Sequence, residues 1–329
     1  MNIINKNQLY AMLISIRLLE HICSLDMYCR NQMLGILISL VFQFIMVLLI
    51  FLFNHEVSIF QKIKTNRILS YVYVIYLVIY GGKSLNMITS IENVIPKTIA
   101  GVVCLLLLGA TCIYCSKLDF KAICRSSIAV NFIVIISIAL MIYGITYSMD
   151  ISNTYNYNDR YNIFYYATSD FAKNVDLIFL ILLVDTSYSK KQAFKYLGFK
   201  LLILEGISFI GLCVLGGTSI VSKYPFIDLG AYSQPFGIQR ADGLYILIST
   251  LVTVLNISLA LNISSRLLQN VLSKHKEILL TIAMIVTSYF INSFNMTIIS
   301  AIMILILSCI IPTMLNLSED MKKQTKGES

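Results

Sequence analysis

Tryptophan is absent from this 329-residue chain, and charged residues make up only 13% of it. Soluble domains carry about 25% charged residues. A water-soluble fold of this size would lack the polar surface needed to cover its core. Prolines number four and glycines 15, which argues against a disordered chain. Without tryptophan, any aromatic belt at a membrane surface must come from the 20 Tyr and 17 Phe. Histidine is scarce too. His21, His55 and His275 are widely spread and belong to no Ser-His-Asp set, phosphate loop or zinc spacing. The chain therefore reads as a non-enzyme, with no cofactor and no bound metal. The eight cysteines are mostly scattered within apolar runs. Cys112 and Cys115 form a C-x-x-C without a second pair or a nearby His, so helix packing is preferred there over metal or redox chemistry.

What the chain does have is apolar runs that recur to its end, which neither a signal peptide nor a single anchor explains. A bilayer core of about 30 Å needs roughly 20 apolar residues of helix. Candidate spans are 7–25, 33–53, 68–90, 99–116, 127–147, 161–186, 198–217, 243–263, 278–292 and 296–316. The expected fold is an all-α integral membrane protein of ten transmembrane helices, a single polytopic domain over residues 1–316. A polar, disordered tail over 317–329 is expected to follow. The second span is the cleanest, with Gln43 as its only strongly polar residue. Only the residues around Asn292 to Asn295 separate the last two spans, which read as a tight hairpin.

The net charge of +8 is no nucleic-acid signature, because the basic residues sit in short clusters between apolar runs. With the amino terminus inside, 17 of the 25 Lys and Arg fall in cytoplasmic segments, five in outer segments and three within spans. Lys190, Lys191, Lys195 and Lys200 form the richest cytoplasmic loop. A missed or spurious helix would invert every later loop and spoil this pattern, so both termini are expected in the cytoplasm. Of the longer outer segments, 148–160 reads as a solvated loop. Residues 218–242 read as an amphipathic connector, or as a segment lying on the membrane surface or over an outer vestibule.

Charges inside spans are informative, since each costs roughly 2.5–3.5 kcal/mol at a helix centre on insertion scales. Arg17, Glu20 and His21 share one face of the first span at i, i+3 and i+4. They read either as an internal ion pair or as the polar lining of a central cavity. The sixth span carries Ser169, Asp170, Lys173, Asn174 and Asp176 ahead of the apolar run Leu177–Val184. Either that helix is broken near Ser169–Asn174, or the stretch lines an aqueous cavity. Spans one and six correspond if the chain is two five-helix halves, about 7–147 and 161–316. Inverted-repeat transporters of the LeuT-like type interrupt the equivalent helices and bind substrate there. Lys83, after Gly81 and Gly82 in span three, either snorkels outward or points into the cavity. Glu205 either lines the cavity or pairs with a neighbouring helix. Asn256, with Ser258 and Asn262, lines it or bonds helices together.

Several stretches carry a resemblance to the endospore germination permease family, the B-type membrane subunits of nutrient germinant receptors. That family belongs with the amino acid/polyamine/organocation transporters. Asn5–Leu18, with its Gln8-Leu9 pair, is similar to the family's lead into helix one. Ile113–Arg125 resembles the loop after helix four through Tyr114, Lys117, Leu118 and Arg125. Phe171–Val184 looks like helix six, with Asp176 where Glu is usual, and Gln239–Asp242 is similar to the element entering helix eight. The resemblance implies a five-plus-five inverted repeat with interrupted helices one and six. It also implies an amino-acid-like nutrient as ligand, and a larger A-type membrane subunit and a C-type lipoprotein as partners in the inner membrane of a spore.

The expected function is thus a germinant-receptor subunit that binds a small nutrient between helices one, three, six and eight. An H⁺- or Na⁺-coupled amino-acid transporter, with Glu20 or Asp176 as the coupling carboxylate, is the second reading. A non-transporting membrane scaffold is the third.

Overall fold

The computed structural model describes residues 5–23, 28–52, 59–92, 101–118, 120–154, 161–183, 190–220, 222, 224–235, 242–268, 276–291 and 297–318. No strand occurs among them. The helices are α1 (Lys6–Ile22), α2 (Arg30–Leu52), α3 (Ile59–Thr65), α4 (Arg67–Glu92), α5 (Gly101–Ser116) and α6 (Phe120–Ile145), followed by α7 (Ile163–Phe171) and α8 (Asp176–Leu183). Then come α9 (Lys190–Leu215), α10 (Pro225–Tyr232), α11 (Asp242–Leu267), α12 (Lys276–Ile291) and α13 (Thr297–Leu305). The last of these runs on through a π turn, Ile306–Ile310, into a helical stretch over 311–318.

The described part of each expected span falls largely on one of these helices, with the sixth divided between α7 and α8. Among the described residues, six helices are long and apolar enough to cross a membrane: α2, α4, α6, α9, α11 and α13 with its continuation. The described parts of α1, α5 and α12 have 17, 16 and 16 residues. At 1.5 Å per residue they cover about 24–26 Å. The connection between α12 and α13, residues 319–329 of the C-terminal tail, His55, His275 and residues 239–241 of the helix-eight lead lie outside the described residues.

The distribution of polarity is that of a membrane protein. Large apolar side chains point outward along whole helix faces, as with Val41, Phe42 and Ile45 on α2, and Phe132 and Ile135 on α6. A set of charged and amide side chains, among them Arg17, Glu20, Gln43, Asp170, Asn174, Asp176 and Lys200, lies inside. A soluble monomer does not expose continuous apolar faces of this size. The most apolar stretch of α11 is 67% buried, whereas that of α6 is 28% buried, which separates a central helix from a peripheral one. Every residue of α8 is buried, as expected for a helix that is apolar all round. The chain is an α-helical, multi-pass membrane protein.

Helix α1 sits centrally, against α6, α8, α9 and α11. It corrects one expectation, because it is a continuous helix from Lys6 to Ile22. That segment contains neither Gly nor Pro, and Asn5 caps its start by accepting from the Asn7 N–H. Its buried Arg17, Glu20 and His21 are met by side chains from other helices, so its backbone need not open.

Of the two segments expected outside, the described part of the first, residues 148–154, is exposed at 150–152 yet tied to α9, and the described part of the second packs against the bundle. Asp150 N–H donates to the Cys213 carbonyl at 3.0 Å, and Asn153 Nδ2 donates to the same oxygen at 2.9 Å. Helix α10 buries Pro225, Phe226, Ile227 and Leu229 against α6, α9 and α11. Behind it, the Ser233 hydroxyl donates to the Met141 carbonyl at 2.9 Å. At the other end of the molecule, Lys62 is buried and donates to Asn316 Oδ1 at 3.1 Å. The π turn in α13 leaves the Leu307 carbonyl to accept from the Tyr73 hydroxyl at 2.6 Å.

Candidate functional site

The break between α7 and α8 is built by side chains, with no Gly or Pro in residues 171–176. The Asn174 backbone N–H turns back to Phe171 O at 3.1 Å, a tightened i−3 bond. Its side chain takes the i−4 partner, with Nδ2 donating to Asp170 O at 3.0 Å. Asn174 thus competes with the helix ladder in the way that short polar side chains do. The Ala172 carbonyl is met from α13, where the Ser300 hydroxyl donates at 2.9 Å. The chain restarts at Asp176, in the first turn of α8, where a carboxylate complements the helix dipole.

Two buried ion pairs meet at this break. Arg17 of α1 pairs through Nη2 with Asp170 Oδ1 of α7. Lys200 of α9 pairs with Asp176 Oδ2 at 2.6 Å. The Lys200 ammonium spends its other donors on Asn174 Oδ1 and Gln43 Oε1, each at 2.8 Å. Asp176 Oδ2 also accepts from the Tyr196 hydroxyl at 2.7 Å. Gln43 and Asn174 both donate to Ser39 Oγ of α2, at 3.1 and 3.2 Å. Helices α2, α8 and α9 are thereby tied through one polar knot, and Asn174 links it to the α1–α7 pair.

Glu20, one turn further along α1, extends the network to α4, where Lys83 donates to Oε2 at 2.6 Å. Glu20 is fully buried, but the Lys83 side chain is 32% exposed. Lys83 is therefore the accessible member of this pair. His21 Nε2 lies 3.3 Å from the Ser208 hydroxyl of α9.

The nine residues singled out from the sequence do not all converge. Arg17, Glu20, Lys83, Asp170, Asn174 and Asp176 belong to the linked pairs around α1 and the break. His21 faces α9 instead. Asn256 donates to the Ser15 carbonyl at 3.4 Å and holds α11 to α1. Lys173 lies half-buried in the break itself. Glu205 of α9 is also half-buried.

Four members, Lys200, Gln43, Tyr196 and Ser39, were not among the residues singled out from the sequence. Lys200, expected in a cytoplasmic loop, is buried inside α9 because that helix begins ten residues earlier, at Lys190. Tyr196, Leu197, Gly198 and Phe199 precede it and Leu201 to Leu204 follow, so it stood within an apolar run. Gln43 was visible as the lone strongly polar residue of its span, but no local pattern assigned it a partner.

The network keeps polar atoms of both kinds in reserve. Arg17 Nε and Nη1 are buried donors without a hydrogen-bond partner. Asp170 Oδ2, Glu20 Oε1 and Asp176 Oδ1 are buried acceptors in the same condition. A buried unpaired polar atom costs about 1–3 kcal/mol, more when charged. No group of His, Cys, Asp and Glu suited to a metal ion occurs among the described residues. No protein-family model, curated protein or solved structure matches the chain.

Proposed function

We propose that this chain is the ligand-binding membrane subunit of a spore nutrient-germinant receptor, and that a small amino-acid-like nutrient binds where α1, α4, α7, α8 and α9 meet. One observation carries the reading: buried ion pairs at a helix interruption hold spare donors on Arg17 and spare acceptors on Asp170, Glu20 and Asp176. The free edge of a guanidinium suits a carboxylate, and spare carboxylate oxygens suit an ammonium. A ligand bearing both groups would satisfy atoms that the protein leaves unpaired.

In this reading the chain crosses the membrane ten times, with both termini in the cytoplasm. Its halves, about 7–147 and 161–316, form an inverted repeat in which only the second half carries the interrupted helix. A larger A-type subunit and a C-type lipoprotein are its partners in the spore inner membrane. The motif resemblance supports that assignment, and the buried charges support a ligand. Binding shifts a conformational equilibrium only by its differential affinity for the two states.

The test is nutrient-triggered germination in a strain carrying Arg17→Lys, which keeps the charge but loses the fork. Germination is expected to fail at normal protein level. Germination at the normal nutrient threshold would overturn the proposal. The α7–α8 interruption also favours a second reading, a secondary transporter with Asp176 or Glu20 as coupling carboxylate. Accumulation of labelled amino acid in vesicles, dependent on an H⁺ or Na⁺ gradient, would select it. Binding without accumulation supports the receptor, and no binding at all leaves a scaffold.

A further inference from the structure

An open groove of about 870 Å³ runs along the outside of the bundle, floored by α1 and walled by α6 and α9. Its lining is almost wholly apolar, with Ile14, Ile135, Ile138, Leu202, Gly206 and Ile210 along its length. Several wall residues are strongly exposed, Leu202 by 71% and Ile135 by 63%. A Cβ added at Gly206 would meet nothing within 4 Å, so the groove has room beside α9.

One end of the groove differs from the rest. There the first turns of α1 and α9 are fastened together, with the Tyr10 hydroxyl donating to the Gln192 carbonyl at 2.8 Å and the Tyr10 and Tyr196 rings stacked at 6.1 Å. Lys195 lines the groove at this end, beside Asn7. Lys6 and Lys191 flank the same junction, one on each helix. All three lysines are exposed, and none makes an ion pair with a described residue. An apolar channel with an unpaired basic mouth matches an amphiphile with an anionic head. In a membrane, basic residues at the cytoplasmic surface face a leaflet enriched in anionic lipid.

The geometry points to a binding site for one anionic phospholipid, its acyl chains in the α1–α6–α9 groove and its phosphate head over Lys6, Lys191 and Lys195. This site is separate from the interior charge network, and it stands or falls independently of the ligand proposed there. Because its floor is the outer side of α1, which carries Arg17 and Glu20 inward, the lipid would brace the helix that holds the interior site.

The experiment is native mass spectrometry of the purified full-length protein in detergent, titrated with phosphatidylglycerol and, separately, with phosphatidylcholine of the same chains. Phosphatidylglycerol is expected to be retained preferentially, as a single bound copy. Lys195→Gln is expected to weaken phosphatidylglycerol binding by about five-fold and leave phosphatidylcholine unchanged, the scale for one lysine near an anionic surface. Gly206→Leu puts a side chain into the groove from a Cβ position with nothing within 4 Å, and is expected to weaken both lipids. Equal retention of the two lipids by the wild type would overturn the proposal. So would indifference of both variants. A third contrary result is a dimer or hetero-complex that photocrosslinks through a benzoylphenylalanine at position 206, which would show a protein helix in the groove.

Discussion

The Lys200 ammonium lies 2.6 Å from Asp176 Oδ2, and both side chains are buried between α8 and α9. Breaking a buried pair leaves one charge uncompensated and costs about 3–5 kcal/mol, far more than an exposed pair is worth. Lys200→Met is therefore expected to lower stability by about that amount. Adding Asp176→Asn removes the stranded charge, so the double variant should be more stable than the sum of the single losses by about 1 kcal/mol or more. Equilibrium unfolding of the purified variants in detergent measures the cycle, and strictly additive losses would contradict the pairing.

The crossing of α2 and α7 gives a second prediction. A Cβ at Gly35 would lie 2.7 Å from Tyr166 Cβ and 2.8 Å from the Ala167 backbone nitrogen, and a helix backbone cannot move aside cheaply. Gly35→Ala is expected to destabilise by about 1–3 kcal/mol through overpacking. Gly198 of α9 is the control, since a Cβ there meets nothing within 4 Å. Gly198→Ala should be neutral or stabilising by up to about 1 kcal/mol through helix propensity alone. Thermal unfolding of the two variants side by side should show shifts of different size, and equal shifts would contradict the close approach.

Solvent should reach the charge network from one side. The Lys83 side chain is 32% exposed while Glu20, Asp170 and Asp176 are buried, and the proposed topology puts the Lys83 end of α4 outside. In a background without the native cysteines, Lys83→Cys is expected to react with a membrane-impermeant thiol reagent added to intact cells, and Ser39→Cys is not. Labelling of Lys83→Cys only in inverted vesicles would reverse the orientation.

Much of this was legible in the sequence because the bilayer imposes a strong rule. Every spanning segment must satisfy its own backbone, so apolar length located the long helices, though not the short α3 and α10. The cost of buried charge then pointed to α1 and to the α7–α8 stretch. The alternative offered for span six resolves as a break, since Asn174 takes over the Asp170 carbonyl that a continuous helix would bond through its backbone. The interruption of α1 was expected from the five-plus-five repeat and the resemblance, not from its charges, and it is absent. Arg17, Glu20 and His21, read as an ion pair or a cavity lining, are answered by Asp170, Lys83 and Ser208 from other helices. Those partners are 63 to 187 residues away in sequence, and no local pattern encodes them. Lys200 was lost for the opposite reason. A lysine near a basic loop looks like a topology signal unless the helix is known to begin well before it.

The most direct measurement is a thermal-shift screen of the purified protein against single amino acids and sugars, repeated with Arg17→Lys. The account predicts that at least one amino acid stabilises the wild type in a concentration-dependent way. At a concentration 100 times the dissociation constant the gain is about 2.7 kcal/mol. The same compound should leave Arg17→Lys unshifted. A wild type indifferent to the whole panel, or a variant stabilised as strongly as the wild type, would contradict a ligand site at the α7–α8 interruption.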